Sequence, residues 1–182
     1  MAGTLAHGLL VTGTKESAEK NTMNIRVAQV NDAERIEMLN AQIGVSLSLS
    51  IIREKLAHMR ASNNDLVLVA EVCGLVVGYA ALHLQPVFFQ DQPNGRVSSL
   101  VIDETFREMT IGTQLLDAAR SFFNNKQCCR VEVSSPFHPD DAGGFYLNVG
   151  YRLTPSRYLR LIASQQSTDS DRGNVCRPAG WQ

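Results

Sequence analysis

The chain has 182 residues, a formal net charge of −1, 44% hydrophobic residues and 19% charged residues, the profile of one soluble globular domain with a full core. A balance so near neutral supplies no general basic footprint for nucleic acid, and no apolar run approaches the roughly 20 residues of a membrane-spanning helix, so neither partner is expected. The four cysteines, Cys73, Cys128, Cys129 and Cys176, form no CxxC pair, which argues against zinc or a disulfide framework and for reduced thiols in a cytoplasmic protein; no metal is expected.

Residues 1–22 carry Gly, Thr and Lys without a clear period and read as a flexible N-terminal extension; Leu9-Leu10-Val11 is too short for a signal-peptide core. Ile25 to Val30 alternates and predicts a strand. Asn31 followed by Glu34 is a capping-box pattern, and Ile36, Leu39 and Ile43 share one face of the helix it would open, with Gly44 as its stop. A second helix starts at Ser48 or Ser50 and runs through Ile52, Leu56 and Met59. Leu66 to Val72 and Leu75 to Leu84 predict a hairpin about a Cys73-Gly74 turn. Pro86 to Gly95 is a loop, Arg96 to Ile102 a strand, and Thr110 to Asn124 an amphipathic helix with Ile111, Leu115, Ala119 and Phe122 inward. Arg130 to Ser134 is a strand, and Ala142 to Val149 a short helix closed by Gly150. Tyr151 to Leu153 and Arg157 to Ile162 predict two short strands, and residues 164–182 a flexible tail. The order β α α β β β α β α β β is that of an α/β fold, a mixed sheet with helices on both faces.

Two segments concentrate the chemistry. The apolar run Leu100-Val101-Ile102 feeds a helix through a polar turn holding Arg107. The first helical turn offers free N–H groups and the positive end of the helix dipole, and Gly112 lets an anion approach without meeting a Cβ. An ordinary strand–turn–helix corner with a surface arginine looks the same. Asp141 to Tyr151 likewise reads as a short helix with a Phe–Tyr core stripe and a glycine stop.

Taken together the two segments say more. Arg107 to Gly112 resembles motif A of the GCN5-related N-acetyltransferases (GNAT), Arg-x-x-Gly-x-Gly/Ala, with Thr110 at the first glycine. Ala142, Phe145, Tyr146, Gly150 and Tyr151 resemble that family's motif B, and the element order agrees from residue 24 to 162. The resemblance implies a GNAT domain over residues 23–163, with a mostly antiparallel sheet of about seven strands, about four helices and a splayed pair of central strands. It implies acetyl transfer from acetyl-CoA to the primary amine of a small molecule by direct attack. It assigns the pyrophosphate to Arg107, Glu108, Met109, Thr110, Ile111, Gly112 and Thr113, the pantetheine arm to the backbone of Leu100, Val101 and Ile102, and the leaving thiolate to Tyr146. Acylation of a protein or peptide, or CoA binding without catalysis, would carry the same motifs.

Gly78 to Gln85, with the downstream motifs, looks like the aminoalkylphosphonate N-acetyltransferases within the family. Gly143 departs from them by standing where they have histidine, and Arg96 and Ser99 replace the family's strand glutamates. Ser99 is then the residue expected to position a water. Glu71 and His83 are lesser candidates for the base, and His138 and Asp140 lie in a loop within reach of substrate; solvated or capping roles are the ordinary reading of all four. Phe88-Phe89 would wall off a small pocket or meet a second subunit, and edge strands near the C-terminus are compatible with a homodimer.

Overall fold

The computed structural model describes residues 23–107, 110–134 and 139–154, the side chains of 139–143 excepted. Glu108, Met109, His138 and the predicted strand Arg157 to Ile162 lie outside the described residues. One sheet has the order β1-β2-β3-β4-β5, formed by β1 (Met23–Val27), β2 (Asp65–Val72), β3 (Leu75–Gln85), β4 (Asn94–Ile102) and β5 (Arg130–Val133). The first three junctions are antiparallel and β4–β5 is parallel. The helices are α1 (Ala33–Gln42), α2 (Leu49–Ala61), α3 (Ile111–Asn125) and α4 (Pro139–Asn148). This is the expected α/β order, with five strands among the described residues rather than about seven.

Three local differences have physical causes. The first strand stops at Val27, and Val30–Asp32 forms a 3-10 turn. Asp32 drives that turn, because its carboxylate accepts the Gln29 N–H at 2.7 Å and both terminal nitrogens of Arg26 at 2.8 and 2.9 Å. The helix therefore opens at Ala33 rather than on an Asn31–Glu34 box. Tyr151 to Leu153 is not a strand. Gly150 takes φ +92° and the Tyr151 N–H returns to the Tyr146 carbonyl at 2.9 Å, so these residues close α4.

The sheet separates two cores. Val67, Val69, Val76, Tyr79 and Val101 meet Ile36, Leu39, Ile52 and Leu56 of α1 and α2. Leu68, Ala80, Leu82 and Val97 meet Ile111, Leu115, Ala119 and Phe123 of α3 on the other face. Phe123, rather than Phe122, is the fully buried ring. A Cβ at Gly95 of β4 would lie 2.6 Å from its Cδ1, so the missing side chain makes the room. The β2–β3 turn holds Cys73 at φ 50° and Gly74 at φ 79°, the pair of positive values a two-residue hairpin of type I′ needs. Among the described residues no helix is long and apolar enough to cross a membrane.

Phe123→Ala is expected to lower unfolding free energy by about 3–5 kcal/mol, read as a lower urea midpoint at unchanged slope; a loss under about 1 kcal/mol would mean the α3 core does not depend on this ring.

Candidate functional site

β4 has two different edges. It pairs with β3 from Asn94 to Ile102, whereas β5 accompanies it only from Asn94 to Val97. The last link is the Ser134 N–H to the Val97 carbonyl at 3.0 Å. Beyond it, Ser98 to Ile102 has no strand on the β5 side among the described residues. The Asp103 N–H donates to the Val77 carbonyl at 2.8 Å, which sets the antiparallel alternation. Val101 therefore spends its backbone groups on Tyr79, and Leu100 and Ile102 turn theirs toward the open edge. The parting coincides with a bulge: Ala81 faces Ser99 and Leu82 faces Val97, leaving Ser98 as the extra residue. A bulge bends and twists its strand, which suits a point where one neighbour leaves.

The turn after β4 is pinned by Asp103, a buried carboxylate. It accepts the Thr105 N–H at 2.9 Å, the Thr105 hydroxyl at 2.7 Å, Gln42 Nε2 at 3.3 Å and the Arg35 guanidinium. Burial pushes its pKa up, but Thr105, Arg35 and Gln42 more than offset this and hold it at about 2. Arg35 also donates to the Val76 carbonyl at 2.7 Å, and Gln42 Oε1 accepts the Glu104 N–H at 3.1 Å. Two α1 side chains thus fix the approach to α3. Arg107 follows at the surface, 3.4 Å from Glu104.

Thr110 precedes α3 at φ −73°, a value open to a β-branched residue, so threonine at the first motif glycine imposes no strain. Ile111, Gly112 and Thr113 form the first turn of α3, where N–H groups lack the acceptor one turn back inside the helix. Gly112 departs from expectation. A Cβ there would lie 3.0 Å from Phe145 Cζ of α4, so the glycine admits an aromatic ring at its Cα, and only its N–H remains for an anion. Tyr146 is the next residue of α4. It is half-buried against the α3 core, edge-on to Phe145 at 5.3 Å and to Tyr151 at 6.0 Å. Phe88 and Phe89 are both largely exposed, and Phe89 lines an open hollow with Gln90, Asp91, Gln92 and Cys129.

A polar chain crosses the α1/α2 side of the sheet near the bulge. The Ser62 hydroxyl donates to Asp65 Oδ2 at 2.7 Å, Asp65 Oδ1 lies 2.7 Å from His83 Nδ1, and His83 Nε2 lies 2.7 Å from Ser98 Oγ. Ser99, the serine expected to act, is half-buried and pairs with Ala81; its neighbour Ser98 makes the histidine contact. Asp65 and Ser98 were not foreseen. Counting outward from the Cys73-Gly74 turn sets Asp65 opposite Leu82, and only the register shift beyond Glu71 moves it to His83. Glu71 bonds Arg26 Nε at 2.8 Å, a tie between strands far from the fork.

Comparison with known proteins agrees with this geometry. The profile described as the acetyltransferase (GNAT) domain matches residues 63–153. No curated protein matches the chain. Among solved structures, an acetyltransferase of Trypanosoma brucei is 24% identical with a TM-score of 0.65, over 78% of this chain and 100% of that one. An aminoglycoside N-acetyltransferase in complex with CoA is 16% identical with a TM-score of 0.66, over 84% and 99%. A ribosomal-protein-alanine N-acetyltransferase from Brucella melitensis is 18% identical with a TM-score of 0.63, over 78% and 100%. At these identities the likeness is one of fold.

Asp103 also makes a prediction about acid. Its folded pKa of about 2 lies below the roughly 3.9 of an unfolded aspartate, so its contribution, about 2–3 kcal/mol, is complete above that value and is lost as pH falls from 4 toward 2. Asp32 and Asp65 are also held low by their partners, against the burial that would raise them, so Asp103→Asn should flatten the acid slope without abolishing it. Urea unfolding at neutral and acid pH checks this; parallel slopes for the two proteins would contradict it.

Proposed function

The chain belongs to the GNAT acetyltransferase family and is an acyltransferase; from that premise we propose that it moves the acetyl group of acetyl-CoA to the primary amine of a small molecule, with the β4 fork as the acyl site. The observation that carries this reading is the departure of β5 at Val97, which leaves backbone groups of Leu100 and Ile102 facing an open edge. The pantetheine arm is amide-bearing and can add to such an edge as a strand would. Val101 holds the strand in place through its buried side chain. The amides of Ile111, Gly112 and Thr113, with Thr110, Glu108 and Met109, form the diphosphate cradle, and Arg107 adds positive charge beside it.

Acetyl-CoA supplies the activated acyl group; the chain supplies orientation and protons. Tyr146 stands on the helix that packs against the α3 entrance, where its hydroxyl is to hydrogen-bond the departing sulfur. A phenol of pKa about 10 protonates a thiolate of about 8.5 only weakly, so its main contribution is a positioned hydrogen bond. Ser99, on the bulge side of β4, holds a water at the acceptor side. The likeness to aminoalkylphosphonate enzymes rests on motif residues alone. One observation keeps anionic amines in view: Arg96 Nε is buried and has no hydrogen-bond partner among the described residues.

The test is thiol release from acetyl-CoA with a panel of primary amines, including polyamines, aminosugars, aminoalkylphosphonates and short peptides. Turnover with a small amine is expected. Turnover with peptides alone, or CoA binding with no thiol release, would replace the proposal. Tyr146→Phe should lower kcat about a hundredfold while CoA affinity by calorimetry is unchanged; an unchanged kcat would remove this phenol from the reaction.

A further inference from the structure

An amine acceptor reaches the site mostly as its ammonium, because its pKa is about 10 by analogy with lysine, and a proton must leave before nitrogen can attack. Glutamate is missing from the strand positions where a base would stand, which are Arg96 and Ser99. We propose that Ser98, His83 and Asp65 form the proton relay that removes it, an inference that rests on the acetyl-transfer reading above.

The geometry is that of an oriented imidazole. A carboxylate can only accept, so the 2.7 Å contact of Asp65 Oδ1 with His83 Nδ1 places a proton on Nδ1, and in the neutral ring Nε2 is then the acceptor for the Ser98 hydroxyl, whose other acceptor is the Ala81 carbonyl at 3.4 Å. Ser98 Oγ lies 2.7 Å from that nitrogen. Asp65 is itself held by Ser62, whose hydroxyl donates at 2.7 Å and also accepts the Asp65 N–H at 3.2 Å. Location supports the role. Ser98 is the extra residue of the bulge, immediately after the last β4–β5 pair. Ser98 therefore stands at the mouth of the fork, with its hydroxyl turned over β3 toward His83 and the Ala81 carbonyl, on the side of the sheet that carries α1 and α2.

The proton count closes without a further reagent. As the ammonium gives a proton to Ser98 Oγ, Ser98 passes its own proton to His83 Nε2. A substrate N–H bond breaks, the serine O–H is exchanged, and the imidazolium formed is balanced by the Asp65 carboxylate. The neutral amine then attacks, and His83 returns its proton to solvent. Ser98 is the catalytic group, His83 the acceptor behind it, and Asp65 a positioning residue. Among the described residues the other charged or titratable groups near His83 include Arg96, its cross-strand neighbour on β4, Glu132 beyond Arg96 on β5, and His58 of α2, whose charge acts on Asp65.

The experiment uses the full chain and the best amine of the panel, with kcat/KM followed from pH 6 to 10. His83→Gln and Ser98→Ala should each lower kcat/KM at neutral pH about a hundredfold. Activity should return as pH approaches the amine's own pKa, with KM for acetyl-CoA unchanged. Asp65→Asn should lower kcat/KM at neutral pH with KM for acetyl-CoA unchanged, because an amide can present a donor to Nδ1 and turn the ring to the wrong tautomer. A wild-type pH profile in His83→Gln, or an equal loss at every pH, overturns the relay and leaves a merely structural contact. CoA calorimetry on the wild type separates the two levels: no binding, or no turnover with any amine, strikes the acetyl-transfer reading and the relay with it, whereas binding and turnover with an unmoved His83→Gln profile strikes the relay alone.

Discussion

A parallel neighbour can share a strand's edge only while the two backbones stay within about 4.8 Å, and β5 meets that condition with β4 for a single stretch, Asn94 to Val97. Everything at the site follows from that limit. Leu100 and Ile102 lie in a central strand, anchored on one edge by β3 and on both sides by packed side chains. Among the described residues no strand takes the donors and acceptors that they turn away from β3. Such groups need water or a ligand of matching polarity. The Ser98 bulge lets β4 bend at the same point, so the strand that stays and the strand that leaves do not strain each other.

The two faces of the sheet are coupled at the far end of the same strand. Arg35 and Gln42 come from the helix pair on one face and close on Asp103, the first residue after β4. α3, on the opposite face, begins only after the turn that Asp103 holds. Side chains of α1 therefore hold the turn from which α3 starts. α4 completes the arrangement by placing Phe145 against Gly112, so the phenol of Tyr146 is registered on the α3 entrance rather than on a free loop.

Much of this was legible in the residues, and the limit of legibility has a physical form. Periodicities of 3.6 and 2 reported where helices and strands lie, and paired motifs at the α3 entrance and in α4 reported the family. Phe122 and Phe123 could not be separated by period, since both sit near one helix face; the choice was made by Gly95 on a strand some 28 positions away. The relay escaped for a similar reason. His83 was visible as a residue type, but its partners are brought to it by two bulges, one moving Asp65 across from Leu82 to His83 and the other freeing Ser98. A bulge changes register by one residue and leaves little trace in composition. At Gly112 the space that a Cβ would take faces the protein's own Phe145 ring, a contact between distant elements that the motif does not report.

The fork can be examined without knowing the acceptor. Amide hydrogen exchange, resolved by residue with and without saturating CoA, asks whether the open edge is where the ligand pairs. The account predicts slower exchange at Leu100, Ile102 and the first α3 amides, with Val101, already bonded to β3, unchanged. CoA bound at saturation with Leu100 and Ile102 exchanging as fast as before would contradict it.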